Sequence, residues 1–79
     1  MIYIATFYSH FGAMRCKKAC DETGIPARMM PVPRMLSSSC GTCVRMEVAG
    51  EEELPRTEEM EQIAREEADG YRILWTAEG

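Results

Sequence analysis

Residues Ile2 to Tyr8 form an unbroken run of apolar, aromatic and β-branched side chains, with apolar positions at both parities, as in a central strand buried on two faces. Ser9 can then cap a helix running to about Thr23, with Gly24 as its C-terminal stop. On a helical projection Gly12, Ala13, Cys16, Ala19, Cys20 and Thr23 share one face, and each is small. Such a face can approach a sheet closely. Phe11 and Met14 point away from it, beside Arg15 and Lys18. Pro26 opens an extended segment, Ala27 to Val32, a second strand that Pro31 restricts to an edge or an end. Thr42 to Val48 alternates and predicts a third strand. An acidic connection, Ala49 to Arg56, contains Gly50 and Pro55. Thr57 then predicts the cap of a second helix, with Met60, Ile63, Ala64 and Glu67 or Ala68 on its inner side and Gly70 at its end. Tyr71 to Thr76 reads as the final strand.

The resulting order is βαββαβ. For one small α+β domain spanning residues 1–79, it predicts a ferredoxin-like sandwich, a four-stranded antiparallel sheet with both helices on one face. A right-handed first crossover makes strands one and two parallel, and the third strand is expected to pair with the first. The loop after strand two then returns to the end of the sheet where the first helix starts. Cys40 is therefore expected close to Ser9 and His10.

Composition narrows the functional classes. At 79 residues there is one domain, with little room for a deep substrate pocket. No apolar run is long enough to cross a bilayer, and the stretch MIYIATFY is too short and too uncharged at its front for a signal peptide, so a cytoplasmic location is expected and membrane partners are not. Residues 1–45 carry six basic groups against two acidic ones, a balance of +4, while residues 46–79 carry three against eleven, a balance of −8, together the formal −4. This argues against nucleic acid as a partner, because binding there depends on many phosphate contacts.

In a reducing cytosol Cys16, Cys20, Cys40 and Cys43 are expected to be free, metal-bound or catalytic rather than paired in disulfides. Two of them lie in the run PRMLSSSCGTC, residues 33–43. A thiol reacts as its thiolate, which positive charge or a helix N-terminus favours. Arg34 and His10 are candidate sources of positive charge, and the start of the first helix, after Ser9, offers unpaired N–H groups. Ser37, Ser38, Ser39 and the Gly41 amide are candidate donors to a thiolate, and Gly41 leaves the sulfur uncrowded. The same serines and glycine would also suit a plain hairpin loop.

Three further readings remain open at this level. Cys40 and Cys43 form a C-x-x-C pair, in which Cys43 would act as a resolving thiol, although a strand rather than a helix follows it. All four cysteines could form a zinc tetrahedron, but Cys16 and Cys20 fall on the face predicted to pack against the sheet. A non-catalytic interaction module is the third. In it the loop is a docking surface without thiol chemistry. For a protein that passes a group from its thiol to a partner, Phe11, Met14, Met35 and Leu36 are expected to cluster as an apolar docking surface near the reactive end, with Arg15, Lys18 and Arg34 at its rim.

The run IPARMMPVPRMLSSSCGTCVRM, preceded by FYSHFGAMRCKKACDETG, resembles the small selenium/sulfur carrier-like family, with its helix ending in Gly-Ile-Pro and its Pro-x-Pro-Arg…Ser-Ser-Ser-Cys-Gly segment. The likeness covers most of residues 2 to 46. It implies a cytosolic carrier, not a stand-alone enzyme, that holds sulfur or selenium on the cysteine matching Cys40. The expected donor is a cysteine desulfurase, which uses pyridoxal phosphate, or another donor protein. It would pass a sulfane sulfur to Cys40 as a persulfide, and an acceptor that the sequence does not identify would take it. The carrier itself would need no cofactor.

Overall fold

Ser9 leaves the first strand in an extended conformation, φ −143° and ψ 158°, and its hydroxyl accepts the Gly12 N–H at 3.2 Å. That cap starts helix α1 (His10–Thr23), which ends at Gly24 with φ +79°, a left-handed backbone that glycine adopts without a Cβ penalty. The computed structural model describes residues 1–78. Around α1 it places five strands: β1 (Ile2–Phe7), β2 (Ala27–Pro31), β3 (Thr42–Glu47), β4 (Met60–Glu67) and β5 (Gly70–Thr76). A short 3₁₀ turn, Glu51–Glu53, lies between β3 and β4.

The strands form one sheet in the order β2-β3-β1-β4-β5, and every neighbouring pair is antiparallel. β1 and β2 both run against β3, so they are parallel to each other with β3 between them. β1 is central and hydrogen-bonds on both sides, which accounts for its apolar residues at both parities. Pro31, lacking an N–H, ends the edge strand β2.

Two apolar layers sandwich the sheet. On one face Ala13, Cys16 and Cys20 of α1 pack on Tyr3, Ala5, Phe7, Val44 and Met46, together with Met60 and Ile63. The small helix face allows that approach. A Cβ at Gly12 would stand 2.7 Å from the Glu59 Cβ. On the far face Ile4, Cys43 and Ala64 are covered by Leu36 from the loop after β2, flanked by Met30, Val32 and Tyr71. Full burial of side chains the size of Ile4 or Phe7 stabilises the fold by about 1.5–3 kcal/mol each.

The four-stranded, two-helix ferredoxin-like arrangement is not what forms. The described residues form one α-helix and a five-stranded sheet, and the stretch expected to be the second helix is strand β4. The cause is a β-bulge. Phe7 of β1 faces Met60, but the next residue back, Thr6, faces Gln62, so Glu61 is an extra residue on β4. This puts Met60 and Ile63 on the same face of the sheet, three residues apart, which in the bare sequence reads as one side of a helix. Glu, Gln, Met, Ala and Arg are all good helix formers, so local propensity pointed the same way. Pairing with the open side of β1 overrides it. Thr57 caps no helix: its carbonyl accepts the Met60 N–H at 3.2 Å in a turn, and its buried hydroxyl has no partner among the described residues. Gly70 is no helix stop either. It pairs with Glu67 across a hairpin turn, and this displaces the final strand to the sheet edge beside β4.

Candidate functional site

The loop from Val32 to Gly41 rounds one end of the sheet. It begins on the far face, where the Leu36 N–H donates to the Pro33 carbonyl at 2.9 Å and the Leu36 side chain seals Ile4 and Cys43. It finishes on the helix side, where the half-buried Cys40 packs against the core under α1. The end it rounds is the one at which α1 starts. His10 Nδ1 lies 3.2 Å from the Thr42 hydroxyl, and the Cys40 Sγ donates to the Thr42 carbonyl at 3.4 Å. Cys40 and the first turn of α1 thus meet through Thr42, with Ser9 serving as the helix cap. No acidic residue lies within that first turn. The positive end of the helix dipole points toward this region without an acidic side chain of its own turn to offset it.

The four thiols differ sharply. Cys16, Cys20 and Cys43 are fully buried, and only Cys40 is partly open to solvent. Burial, then the neighbouring Cys20, pushes the Cys16 thiol up to about 12. Burial also raises Cys20, and burial followed by proximity to Cys40 pushes Cys43 up to about 11. These three are poor nucleophiles where they stand. Cys43 donates toward the Pro31 carbonyl at 3.7 Å on the far face, whereas Cys16 and Cys20 lie under the helix. The sheet separates them. Among the described residues no group of three or more His, Cys, Asp or Glu side chains is arranged to hold a metal, so the four-cysteine tetrahedron is not assembled.

The other expected site residues are placed as follows. Arg34 is exposed in the turn after Pro33 and forms no ion pair among the described residues. The Ser39 and Gly41 donors have partners other than the sulfur. The Gly41 N–H donates to the Ser38 hydroxyl at 3.3 Å, the Ser39 N–H donates to Glu61 Oε1 at 3.1 Å, and the Ser39 hydroxyl donates to Glu61 Oε2. The Ser37 carbonyl accepts from Gln62 Nε2 at 2.6 Å. These hydrogen bonds tie the loop to itself and to β4. Gly41 has φ +77° with no atom near its missing Cβ, so the turn beside Cys40 depends on its backbone freedom and not on its small size.

The four apolar residues expected to form one docking surface are split. Phe11 is 60 % exposed and Met14 50 %, both on the outer face of α1, with the Arg15 guanidinium 5.5 Å from the Phe11 ring centre. Met35 is 68 % exposed but lies beside Gly70 at the β4–β5 turn, and Leu36 is only 8 % exposed within the far-face core. The helix pair and the loop pair stand on opposite sides of the sheet.

Residue-by-residue reading of the sequence missed Thr6, Glu61 and Gln62. Gln62 Nε2 also donates to the Thr6 hydroxyl at 3.2 Å, and that hydroxyl donates to Glu61 Oε1 at 3.1 Å. Burial pushes the Glu61 carboxyl up, but the hydrogen bonds from Ser39, Thr6 and Ser38 outweigh it and hold the group below the usual carboxylate range. A cleft of about 390 Å³ opens here, lined by Tyr8, Ser37, Ser38, Ser39, Glu61 and Gln62 among others. The sequence offered no signal for them beyond a Glu-Gln pair between Met60 and Ile63.

Comparison with known proteins gives one positive result. A family model described as "Putative Se/S carrier protein-like" matches residues 2–72. No curated protein and no solved structure proved similar to the chain. Among the described residues no helix is long and apolar enough to cross a membrane.

Proposed function

Since the chain belongs to the Se/S carrier protein-like family, we propose that it accepts sulfane sulfur or selenium on Cys40 and hands it to a partner protein. The observation that carries this reading is the contrast among the thiols: Cys40 is the one cysteine not sealed in the core, and it lies at the end of the sheet where α1 begins. The transfer is a displacement. The Cys40 thiolate attacks the outer sulfur of a donor persulfide, a new S–S bond forms on Cys40 as the donor's S–S bond breaks, and the donor leaves as a thiolate. One sulfur atom moves with no net change in electrons. Passing it to an acceptor thiolate repeats the step with Cys40 as the leaving group, and selenium follows the same course.

A pyridoxal-phosphate cysteine desulfurase suits the donor role because it generates a protein-bound persulfide, and the step asks for no cofactor on this chain. Four free thiols suit a reducing compartment such as the cytoplasm. For donor docking, the outer face of α1 offers exposed Phe11 and Met14 beside Arg15 and Lys18. The pairing of Cys40 with Cys43 as a redox couple is less favoured, because Cys43 is fully buried and its thiol is raised.

Intact mass spectrometry after incubation with a desulfurase and cysteine tests the proposal. Wild type should gain one sulfur atom that a reductant removes, Cys40→Ser should gain none, and Cys16→Ala with Cys20→Ala should still load. Sulfur uptake by Cys40→Ser would overturn the assignment.

A further inference from the structure

The residues on either side of Cys40 are tied to opposite parts of the sheet. Upstream, Ser39 is held by Glu61 on β4 through both its N–H and its hydroxyl. Downstream, the Gly41 carbonyl accepts the Val32 N–H at 3.1 Å just past the end of β2, and its own N–H closes back onto the Ser38 hydroxyl. Cys40 itself packs against the core under α1, and among the described residues its Sγ makes one hydrogen bond, to the Thr42 carbonyl at 3.4 Å. The path of its backbone is set by its neighbours, and of their two attachments to the sheet only the one to Glu61 is made by a sheet side chain.

The bulge is what makes that attachment possible. An ordinary alternation would send residue 61 to the face opposite Gln62. The extra residue instead brings both side chains to the loop, Gln62 to the Ser37 carbonyl and Glu61 to Ser39. Both carboxylate oxygens of Glu61 are engaged, Oε1 by the Thr6 hydroxyl and the Ser39 amide and Oε2 by the Ser39 hydroxyl, and no cation pairs with it among the described residues. An acceptor-only group surrounded by donors has one protonation state that satisfies them all.

We infer that Glu61 is a positioning residue that clamps the serine loop and thereby holds Cys40 half-sheltered at the helix end, ready for a protein partner. The inference rests on the reading of Cys40 as the carrying thiol, but its structural part stands apart from any sulfur chemistry. A clamped loop gives a docking partner a prearranged thiol, whereas a small reagent needs only access. Release of the clamp therefore acts in opposite directions on the two reactions. The same carboxylate that orders the loop also loses that ability when protonated, and the hydrogen bonds that hold its ionisation below the usual carboxylate range let the clamp persist further into acid. Tyr8 and Glu78 are the other titratable groups lining the cleft, so an acid titration is read against a Glu61 variant.

The test has three readings on the full chain. In wild type, the Ser39 amide proton should shift as pH falls through the Glu61 titration, and Glu61→Gln should abolish that movement while leaving any effect of Glu78. At neutral pH, Glu61→Gln and Ser39→Ala should each speed alkylation of Cys40 by iodoacetamide, with Cys16, Cys20 and Cys43 still protected. Transfer from a desulfurase persulfide should slow by about tenfold in the same variants, the order expected when one prearranged contact is lost. An immobile Ser39 amide would overturn the inference, as would unchanged Cys40 alkylation in both variants or equal exposure of all four thiols, the mark of plain unfolding. Absence of sulfur on wild-type Cys40 would defeat the carrier reading instead, and the amide and alkylation results would still decide the role of Glu61.

Discussion

Pulsed alkylation of the native protein at neutral pH should modify Cys40 far ahead of the other three thiols, and the structure sets the size of the gap. A thiol at about 12, as for Cys16, is ionised in roughly one molecule in 10⁵ at pH 7, and one at about 11, as for Cys43, in roughly one in 10⁴. A free cysteine in solution, near 8.5, is ionised in about three of a hundred. Against that reference the two buried thiols are short of thiolate by a factor of about 300 to 3,000 before access is considered. Cys16, Cys20 and Cys43 also have no exposed surface, so a reagent reaches them only when the chain opens. The two barriers do not multiply, because an opened thiol regains its ordinary ionisation. Opening has its own cost: at about 0.05–0.15 kcal/mol per residue, global unfolding is disfavoured by some three powers of ten or more. By either route protection of at least about a hundredfold is expected. The assay is a series of short iodoacetamide pulses, followed by digestion and quantitation of each cysteine peptide. Labelling of Cys43 or Cys16 within tenfold of Cys40 under native conditions would refute the reasoning, since neither burial nor thiol ionisation would then control reactivity.

Gly41→Ala forces a residue with a Cβ to φ +77° where no atom obstructs it, so the cost is backbone strain alone, about 1–2 kcal/mol, read as a fall in Tm of about 4–8 °C per kcal/mol. Gly12→Ala places a Cβ 2.7 Å from that of Glu59 and should push α1 outward; a crystal structure or a drop in stability larger than that of Ala13→Gly checks this. Cys16→Ala and Cys20→Ala should each cost about 1 kcal/mol in urea unfolding, for lost burial, and leave zinc content unchanged. Glu61, depressed in the folded state, contributes stability that is fully present above the ordinary carboxylate range and is lost as pH falls through its folded value. Urea midpoints from pH 6 downward should therefore decline more steeply in wild type than in Glu61→Gln.

The parts of the fold legible in the sequence are those whose cause is local. The Ser9 cap, the small-residue face of α1 and the Gly24 stop each follow from a handful of neighbouring residues, and the strands ending at Phe7, Pro31, Glu47 and Thr76 differ from expectation by a residue or so. The pairing of the third strand with the first was also legible, because crossover handedness leaves few arrangements. What failed was the stretch from Met60 to Glu67. Its identity depends on a partner more than fifty positions away, and the bulge at Glu61 disguises a strand's two-residue period as a helical one. The site shows the same division. The run around Cys40 marks its loop as a candidate in the sequence, yet the partner of Ser39 could not be read there, since Glu61 captures it only once β4 lies beside β1. Leu36 looked like surface because nothing nearby in the chain revealed the uncovered far face that it seals.

The central place of β1 has a consequence for the chain as it is being made. β1 is the first of the five strands to leave the ribosome, but its neighbours are β3 and β4, so Ile2 pairs with Glu47 and Tyr3 with Arg65. Until β3 has emerged, its backbone N–H and C=O groups have no strand to bond, and its apolar side chains can shelter only against α1. Such an exposed, uncharged strand is the kind of segment that nascent-chain chaperones bind and that associates between neighbouring chains. The helix can form early, from local contacts, but the sheet can close only late. A chain cut between Glu47 and Met60 would therefore leave β1 with β3 on one side and nothing on the other, and such a fragment should associate with itself more readily than the 79-residue chain.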